Sequence, residues 1–312
     1  MPDTSALTDE TIGAGKQPPK QPVEREFTTK ERSQWQMAMR RFLHHRLATI
    51  SVFVFILLLF FAFVMPHLWQ YTYNVYTNDL STSPDLKHPF GTDETGYDQF
   101  AVVMRGTQQS LKVAFTIAII GTGVGAIWGV VAGFLGSVVD SGLMRLADLI
   151  LTIPALALAA ALAHNTGGGV FQIGLILALV SAPYVARVVR GVVLSLRERE
   201  FVEAARALGA SNVRIMVRHL LPNTLPVLIV NATLLVAAGI LLETALSYVG
   251  FGIQPPDTSL GLEITKQQGA LDTRPWLFYF PGIFIILIAL TVNFIGDGLR
   301  DALDPRQTRE RR

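Results

Sequence analysis

The chain has 312 residues, half of them hydrophobic and only 16% charged, against roughly 25% charged in ordinary soluble domains. Its mean hydropathy is positive and its formal net charge only +2; together these indicate a membrane protein and exclude a broadly basic nucleic-acid-binding surface. Cysteine is absent, which excludes a disulfide framework and thiolate metal sites.

Residues 1–30 mix Pro, Gly, Thr and both charge signs without apolar periodicity, a composition that predicts a disordered tail. Within it Gly13-Ala14-Gly15-Lys16 brushes against a phosphate-binding loop. Gln17, however, stands where that loop needs a magnesium-binding Ser or Thr, and the earlier glycine is missing. No ATP hydrolysis is expected of this chain. Next, Trp35, Met39, Phe42 and Leu43 recur at helical spacing with Arg40, Arg41 and Arg46 interleaved. This reads either as a helix lying in the cytoplasmic interface or as a plain positively charged anchor flank. The apolar run that follows lacks the short n-region and cleavage site of a secretory signal, so it is expected to stay as an anchor.

A membrane-crossing helix needs about 20 mostly apolar residues, and six segments qualify. The first covers about Ala48–Met65, and the second about Ser110–Val139, uncharged from Val113 on. No Asp, Glu, Lys or Arg occurs between Leu149 and Ala186, a stretch too long for one crossing and interrupted by Asn165, Thr166 and Gly167–Gly169. It divides into a third span, about Leu143–His164, and a fourth, about Val170–Val192. The fifth covers about Leu225–Tyr248 and the sixth about Trp276–Ile295. The organisation is thus all-α: a tail over 1–30, an interfacial helix plus first span over 31–66, and an external loop over 67–109. A five-helix core follows over 110–301, with a connecting loop at 197–223, and then a C-terminal tail over 302–312. With both termini cytoplasmic, 21 of the 26 Lys and Arg residues fall on the inner side, and only Lys87, Arg105, Lys112, Lys266 and Arg274 outside.

Gly121, Gly125, Gly129 and Gly133 place a glycine stripe on one face of the second span, suited to close packing against a helix of this chain or of a partner. Pro154 and Pro183 are expected to kink the third and fourth spans. Charges inside spans are candidate functional sites. Arg187 and Arg190, near the inner boundary, fit snorkelling; Asp148 lies near the inner end of the third span. Glu243, in the outer part of the fifth, either faces the pathway or bridges helices. The six histidines scatter over both sides, which argues against a metal site, and no nucleophile–base arrangement stands out.

The stretch Arg197–Asn223, REREFVEAARALGASNVRIMVRHLLPN, carries the most information. Phe201, Ala204, Ala205 and Leu208 share one face of a short helix. Gly209 stops it, Ser211 caps a second helix, and Pro222 is expected to end that one. The resulting bent pair, rimmed by Glu200, Glu203, Arg206 and Arg214, suits a groove on a partner or an ordinary interfacial hairpin.

Glu203-Ala204-Ala205, Gly209 four residues beyond Ala205, and then Leu221-Pro222 together resemble the EAA loop of binding-protein-dependent ABC importer permeases. His219 stands where that family usually has an isoleucine, a substitution known in its peptide-permease branch. Three further stretches resemble the C-type permease subunit of dipeptide and oligopeptide importers. They are His88-Pro89-Phe90-Gly91-Thr92-Asp93 with Gly96-Tyr97-Asp98, Gly252-Ile253-Gln254-Pro255-Pro256, and Gly296-Asp297-Gly298-Leu299-Arg300-Asp301-Ala302-Leu303-Asp304-Pro305-Arg306. Tyr97 and Leu260 depart from the arginine and tryptophan usual there. The resemblance spans roughly Arg40 to Arg306.

The resemblance implies a type I ABC importer transmembrane fold in a bacterial plasma (inner) membrane, and half of a translocation pathway for peptides. It also implies a second homologous permease subunit, one or two ATPase subunits that hold the ATP and Mg, and an external solute-binding protein. This chain is expected to bind no cofactor. Glu200, Glu203, Ala204, Ala205, Leu208, Gly209 and Pro222 would dock the ATPase, the alanines and glycine by permitting close approach and Glu203 by offering a charge or a helix cap. Cargo in such relatives includes dipeptides, oligopeptides, nickel and glutathione. The rival reading is a secondary transporter or channel driven by an ion gradient, which would call for paired intramembrane carboxylates or inverted repeats; neither is seen. A membrane-embedded hydrolase or a scaffold fits less well, the one for want of catalytic groups, the other because it leaves the bent pair unexplained.

Overall fold

The computed structural model describes residues 34–303. The tail of residues 1–30, with Gly13–Lys16, and the Asp304-Pro305-Arg306 end of the last motif lie outside the described residues. Regular structure within 34–303 is helical: α1 (Gln34–His44), α2 (Arg46–Phe63), α3 (Gln99–Leu135), α4 (Ser137–Thr152), α5 (Ala155–Ala163), α6 (Val170–Leu196), α7 (Glu200–Ala207), α8 (Asn212–Tyr248), α9 (Leu260–Gln267) and α10 (Trp276–Leu303). Five of these elements are long and apolar enough to cross a membrane; α4 and α5 make a sixth crossing only if the two count as one bent span.

Three boundaries differ from the sequence reading. The third span is not one helix over 143–164: α4 and α5 meet at 89°. Pro154 excludes the helical region for the residue before it, and Ile153 is accordingly extended, with φ −80° and ψ 132°. The second span starts at Gln99 rather than near Ser110 and stops at Leu135 rather than Val139, where Gly136 turns the chain at φ +64°. The early start escaped a hydropathy reading because Gln99, Thr107, Gln109 and Ser110 are polar yet buried inside the protein. Finally, Pro183 sits inside an unbroken α6, and Pro222 does not end a short helix but lies within the 37-residue α8. A π turn at Met216–Leu220 absorbs it: the Leu221 N–H reaches back five residues to the Met216 carbonyl. The Asn223 side chain donates to the His219 carbonyl at 2.6 Å, so the widened turn is held from both sides.

The centre of the bundle is the seam between α3 and α6. A Cβ on Gly125 would lie 2.5 Å from Val185 Cβ, one on Gly129 2.5 Å from the Ala186 carbonyl oxygen, and one on Gly133 3.0 Å from Val193. A Cβ on Gly121 would lie 3.1 Å from the Ala178 carbonyl oxygen. The glycine stripe therefore packs within this chain, backbone against backbone. Around the seam, α8 packs on α3, α6 and α10, and α2 lies outside α10. Gly298 seats α10 on the start of α2, since a Cβ there would come within 2.4 Å of Ala48 Cβ and 3.1 Å of the Phe42 ring. Phe42 thus turns inward, while Met39, Arg40 and Leu43 of α1 stay exposed.

The segment between α2 and α3 is folded rather than loose. His88 is buried between two carboxylates, with Nδ1 2.9 Å from Asp98 Oδ1 and Nε2 3.2 Å from Asp79 Oδ2. Asp98 also caps α3 through the Ala101 N–H and accepts from Trp69 Nε1 at 2.8 Å. Phe90 stacks on Phe280 at 3.8 Å between ring centres and meets Phe61, Phe100 and Phe284. Gly91, at φ +73°, passes where any side chain would strike the Thr82 carbonyl and the Trp276 indole. The His88–Asp98 motif is therefore a structural clasp joining α2, α3 and α10.

Candidate functional site: the α7 helix and the charges within the spans

Helix α7 is short because its ends are chemically specified. Arg199 is extended, Glu200 and Glu203 occupy the first turn, and Arg206 the last, an arrangement that suits the helix dipole. At the other end the Gly209 N–H bonds the Arg206 carbonyl at 2.9 Å, and the Ala210 N–H the Ala205 carbonyl at 3.0 Å. This is a Schellman closure. It requires the left-handed φ of +79° that Gly209 adopts, which a residue with a Cβ would adopt only under strain. No described residue comes within 4 Å of the Cβ position of Gly209. Within the described residues Gly209 therefore acts through its backbone conformation, and the space beside it stays open. Ser211 then caps α8, its hydroxyl accepting from the Arg214 N–H at 3.4 Å.

The four residues placed on one apolar face divide between two surroundings. Ala205 is buried with Val202, Ile215 and Leu220 in the main core, and Arg206 lies over the Phe134 ring at 5.3 Å. These contacts fasten α7 to the C-terminal end of α3 and the N-terminal end of α8. Phe201, Ala204 and Leu208 instead face outward, Leu208 being 88% exposed. Val213 and Val217 extend the exposed apolar strip along α8, and His219 approaches Phe201 at 6.4 Å between rings. Glu200 and Glu203 make no ion pair or side-chain hydrogen bond among the described residues, and with Pro222 they are exposed. The result is a rigid knuckle whose outer surface is apolar at the centre and acidic at one edge.

Glu243 is fully buried and accepts from Ser110 Oγ of α3 at 3.1 Å and from Ser247 Oγ at 2.8 Å. Ser110 in turn accepts from the Leu260 N–H at 3.2 Å, and Ser247 lies 3.4 Å from Ser259 Oγ. The Glu243 carboxyl thus bridges α3, α8 and the start of α9. Arg190 does not snorkel but grips Asp140 of α4 through two bonds of 2.5 and 2.6 Å. Arg187 likewise holds Asp148, and Arg197 donates to the Gly133 carbonyl at 3.1 Å. Pairing removes most of the cost of charges at this depth.

At the opposite end of the bundle is a pair that the sequence reading missed. Arg105 grips Asp257 through two bonds of 2.9 Å, and Gln109 donates to the same carboxylate at 2.6 Å. Burial pushes the Asp257 carboxyl up, but the Arg105 guanidinium and the Thr258 N–H more than offset this and hold it below the usual carboxylate range. More than 150 residues separate the partners, so no local pattern announces them.

The sequence profile of the binding-protein-dependent transport system inner membrane component family matches residues 121–309. That of the N-terminal TM domain of oligopeptide transport permease C matches residues 33–89. The oligopeptide transport system permease protein OppC of Mycobacterium tuberculosis is 42% identical over 279 residues, covering 88% of this chain and 96% of its own. OppC of Escherichia coli K12 is 40% identical over 280 residues, covering 88% and 92%. Among solved structures, an inward-facing crystal form of the MetNI methionine ABC transporter aligns with a TM-score of 0.51 at 22% identity, over 65% of this chain and 96% of that one.

Proposed function

The chain belongs to the binding-protein-dependent transport system inner membrane component family, and we propose from that premise and the geometry of α7 that it couples peptide passage to ATP hydrolysed elsewhere. It is a permease subunit of an ATP-binding-cassette importer with the type I transmembrane fold. It forms half of the translocation pathway, a second homologous permease subunit supplying the other half. One or two ATPase subunits hold ATP and Mg, and an external solute-binding protein delivers the cargo. The chain itself carries out no catalysis. Its inner face, with α7 and both termini, is cytoplasmic, in keeping with the distribution of Lys and Arg.

One observation carries the docking assignment. The knuckle is anchored from behind by Val202 and Ala205, yet it leaves Phe201, Ala204 and Leu208 uncovered beside two unpaired carboxylates. A free apolar helical face with an acidic edge fits a groove of opposite charge. Closure of the ATPases around nucleotide would displace α7 and, through the continuous α8, tilt the spans as rigid bodies between two states.

The test is a set of variants in the assembled, reconstituted complex. Glu203→Lys and Leu208→Asp should leave membrane insertion and permease pairing intact while transport falls away from ATPase activity. Undiminished transport in both variants would refute the docking role. A cysteine at Ala204 that reacts only with reagents applied outside the cell would refute the orientation.

A further inference from the structure

At the bundle end opposite α7, a cleft of about 660 Å³ opens between the outer part of α3, the start of α6 and the loop after α8. That volume is in the range of small-ligand sites. Its lining is polar at Gln109, Lys112 and Asp257 and apolar at Phe115, Ile119 and Phe171. The charges do not cancel. Asp257 is already saturated by Arg105, Gln109 and the Thr258 N–H. Lys112 is exposed, and its ammonium makes no hydrogen bond or ion pair among the described residues. With Arg105 and Asp257 neutralising each other, the cleft keeps one uncompensated positive charge. A lone exposed ammonium beside apolar side chains is free to pair with an anionic group that enters the cleft.

We propose that this cleft is where cargo is received from outside: Lys112 binds the terminal carboxylate of the incoming peptide, while Phe115 and Phe171 cover an apolar side chain. Arg105 and Gln109 act as positioning residues, keeping Asp257 occupied so that it does not quench Lys112. The ligand class, a free carboxylate joined to apolar substance, follows from this mixed lining. The proposal rests on the reading of this chain as a peptide permease.

The complete complex, with its second permease, ATPases and binding protein, is reconstituted in proteoliposomes. It is offered a pool of random tri- to pentapeptides, either with free carboxyl termini or as C-terminal amides. Uptake is read by mass spectrometry. Lys112→Gln should raise the half-saturating concentration for the free-acid pool by about tenfold or more, the size expected for losing one charge-assisted hydrogen bond. Lys112→Arg should restore it, and the Gln variant should still assemble with its partner subunits and lose far less amide uptake than free-acid uptake. Unchanged free-acid uptake in Lys112→Gln overturns the site. So does an equal loss for acids and amides, or failure of the variant to assemble, which would mark a structural or partner contact. A wild-type complex that carries neither pool refutes the peptide-permease reading itself, a failure distinct from that of the site.

Discussion

Arg190 and Asp140, fifty residues apart, meet in a two-pronged ion pair that fastens α4 to α6. Asp140 sits in the first turn of α4, just after the chain turns at Gly136. The pair therefore sets the direction in which the bent α4–α5 unit leaves the bundle.

Removing one partner leaves the other charge partly buried. Arg190→Ala or Asp140→Ala should each cost about 1–3 kcal/mol, between the values for exposed and for fully buried pairs. The double variant should cost less than the sum. Thermal unfolding of the four proteins in detergent measures the coupling, and strict additivity would show that the pair contributes nothing.

The glycine seam supplies a test with an internal control. Gly129→Leu would drive a side chain into the Ala186 backbone and should abolish assembly, while Gly129→Ala should destabilise by about 1–3 kcal/mol. Gly123 lies on the same helix with nothing within 4 Å of its Cβ position. Gly123→Ala should be neutral or slightly stabilising. Equal effects at 123 and 129 would remove the seam as a packing device.

Gly209→Ala should cost about 1–2 kcal/mol locally through its left-handed backbone and lower transport in part, because the knuckle still forms. Gly209→Arg adds bulk to an exposed bend and should uncouple transport from ATPase activity while insertion stays normal. Comparing transport per ATP hydrolysed in the two variants separates backbone strain from lost docking.

The Arg105–Asp257 clamp should respond to pH with a defined sign. Because the folded Asp257 carboxyl titrates below its unfolded value, its contribution is fully present above the ordinary carboxylate pKa of about 3.9 and is lost as pH falls through the lower, folded value. The stability difference between wild type and Asp257→Asn should therefore be flat from neutral pH to about 5 and shrink only below about 4. A difference that changed around pH 6 to 7 would implicate another group.

What the sequence made legible was what depends on local period and local chemistry. Glycines four apart define a face, and Gly209 and Ser211 punctuate the bend before α8. What it hid depends on distant partners. Pro222 looks like a terminator until the π turn at Met216–Leu220 is seen, and Gln99 and Ser110 look like loop residues until their burial is known. Arg187 and Arg190 sit where solvent seems near, but their carboxylates lie far upstream. The apolar face of α7 was correctly periodic, yet only the folded chain divides it into Ala205, which anchors, and Phe201 and Leu208, which stay free.

The unbroken α8 has a mechanical consequence. At about 1.5 Å per residue its 37 residues form a rod roughly 55 Å long, hinged to α7 at one extremity and locked through Glu243 to Ser110 near the other. A swing of only about 1° at the near end would shift the far end by about 1 Å, comparable to the slack in a hydrogen bond. Under the proposed docking of an ATPase on α7, strokes of that size would reach the loop bearing Asp257 without any residue between them changing its partner.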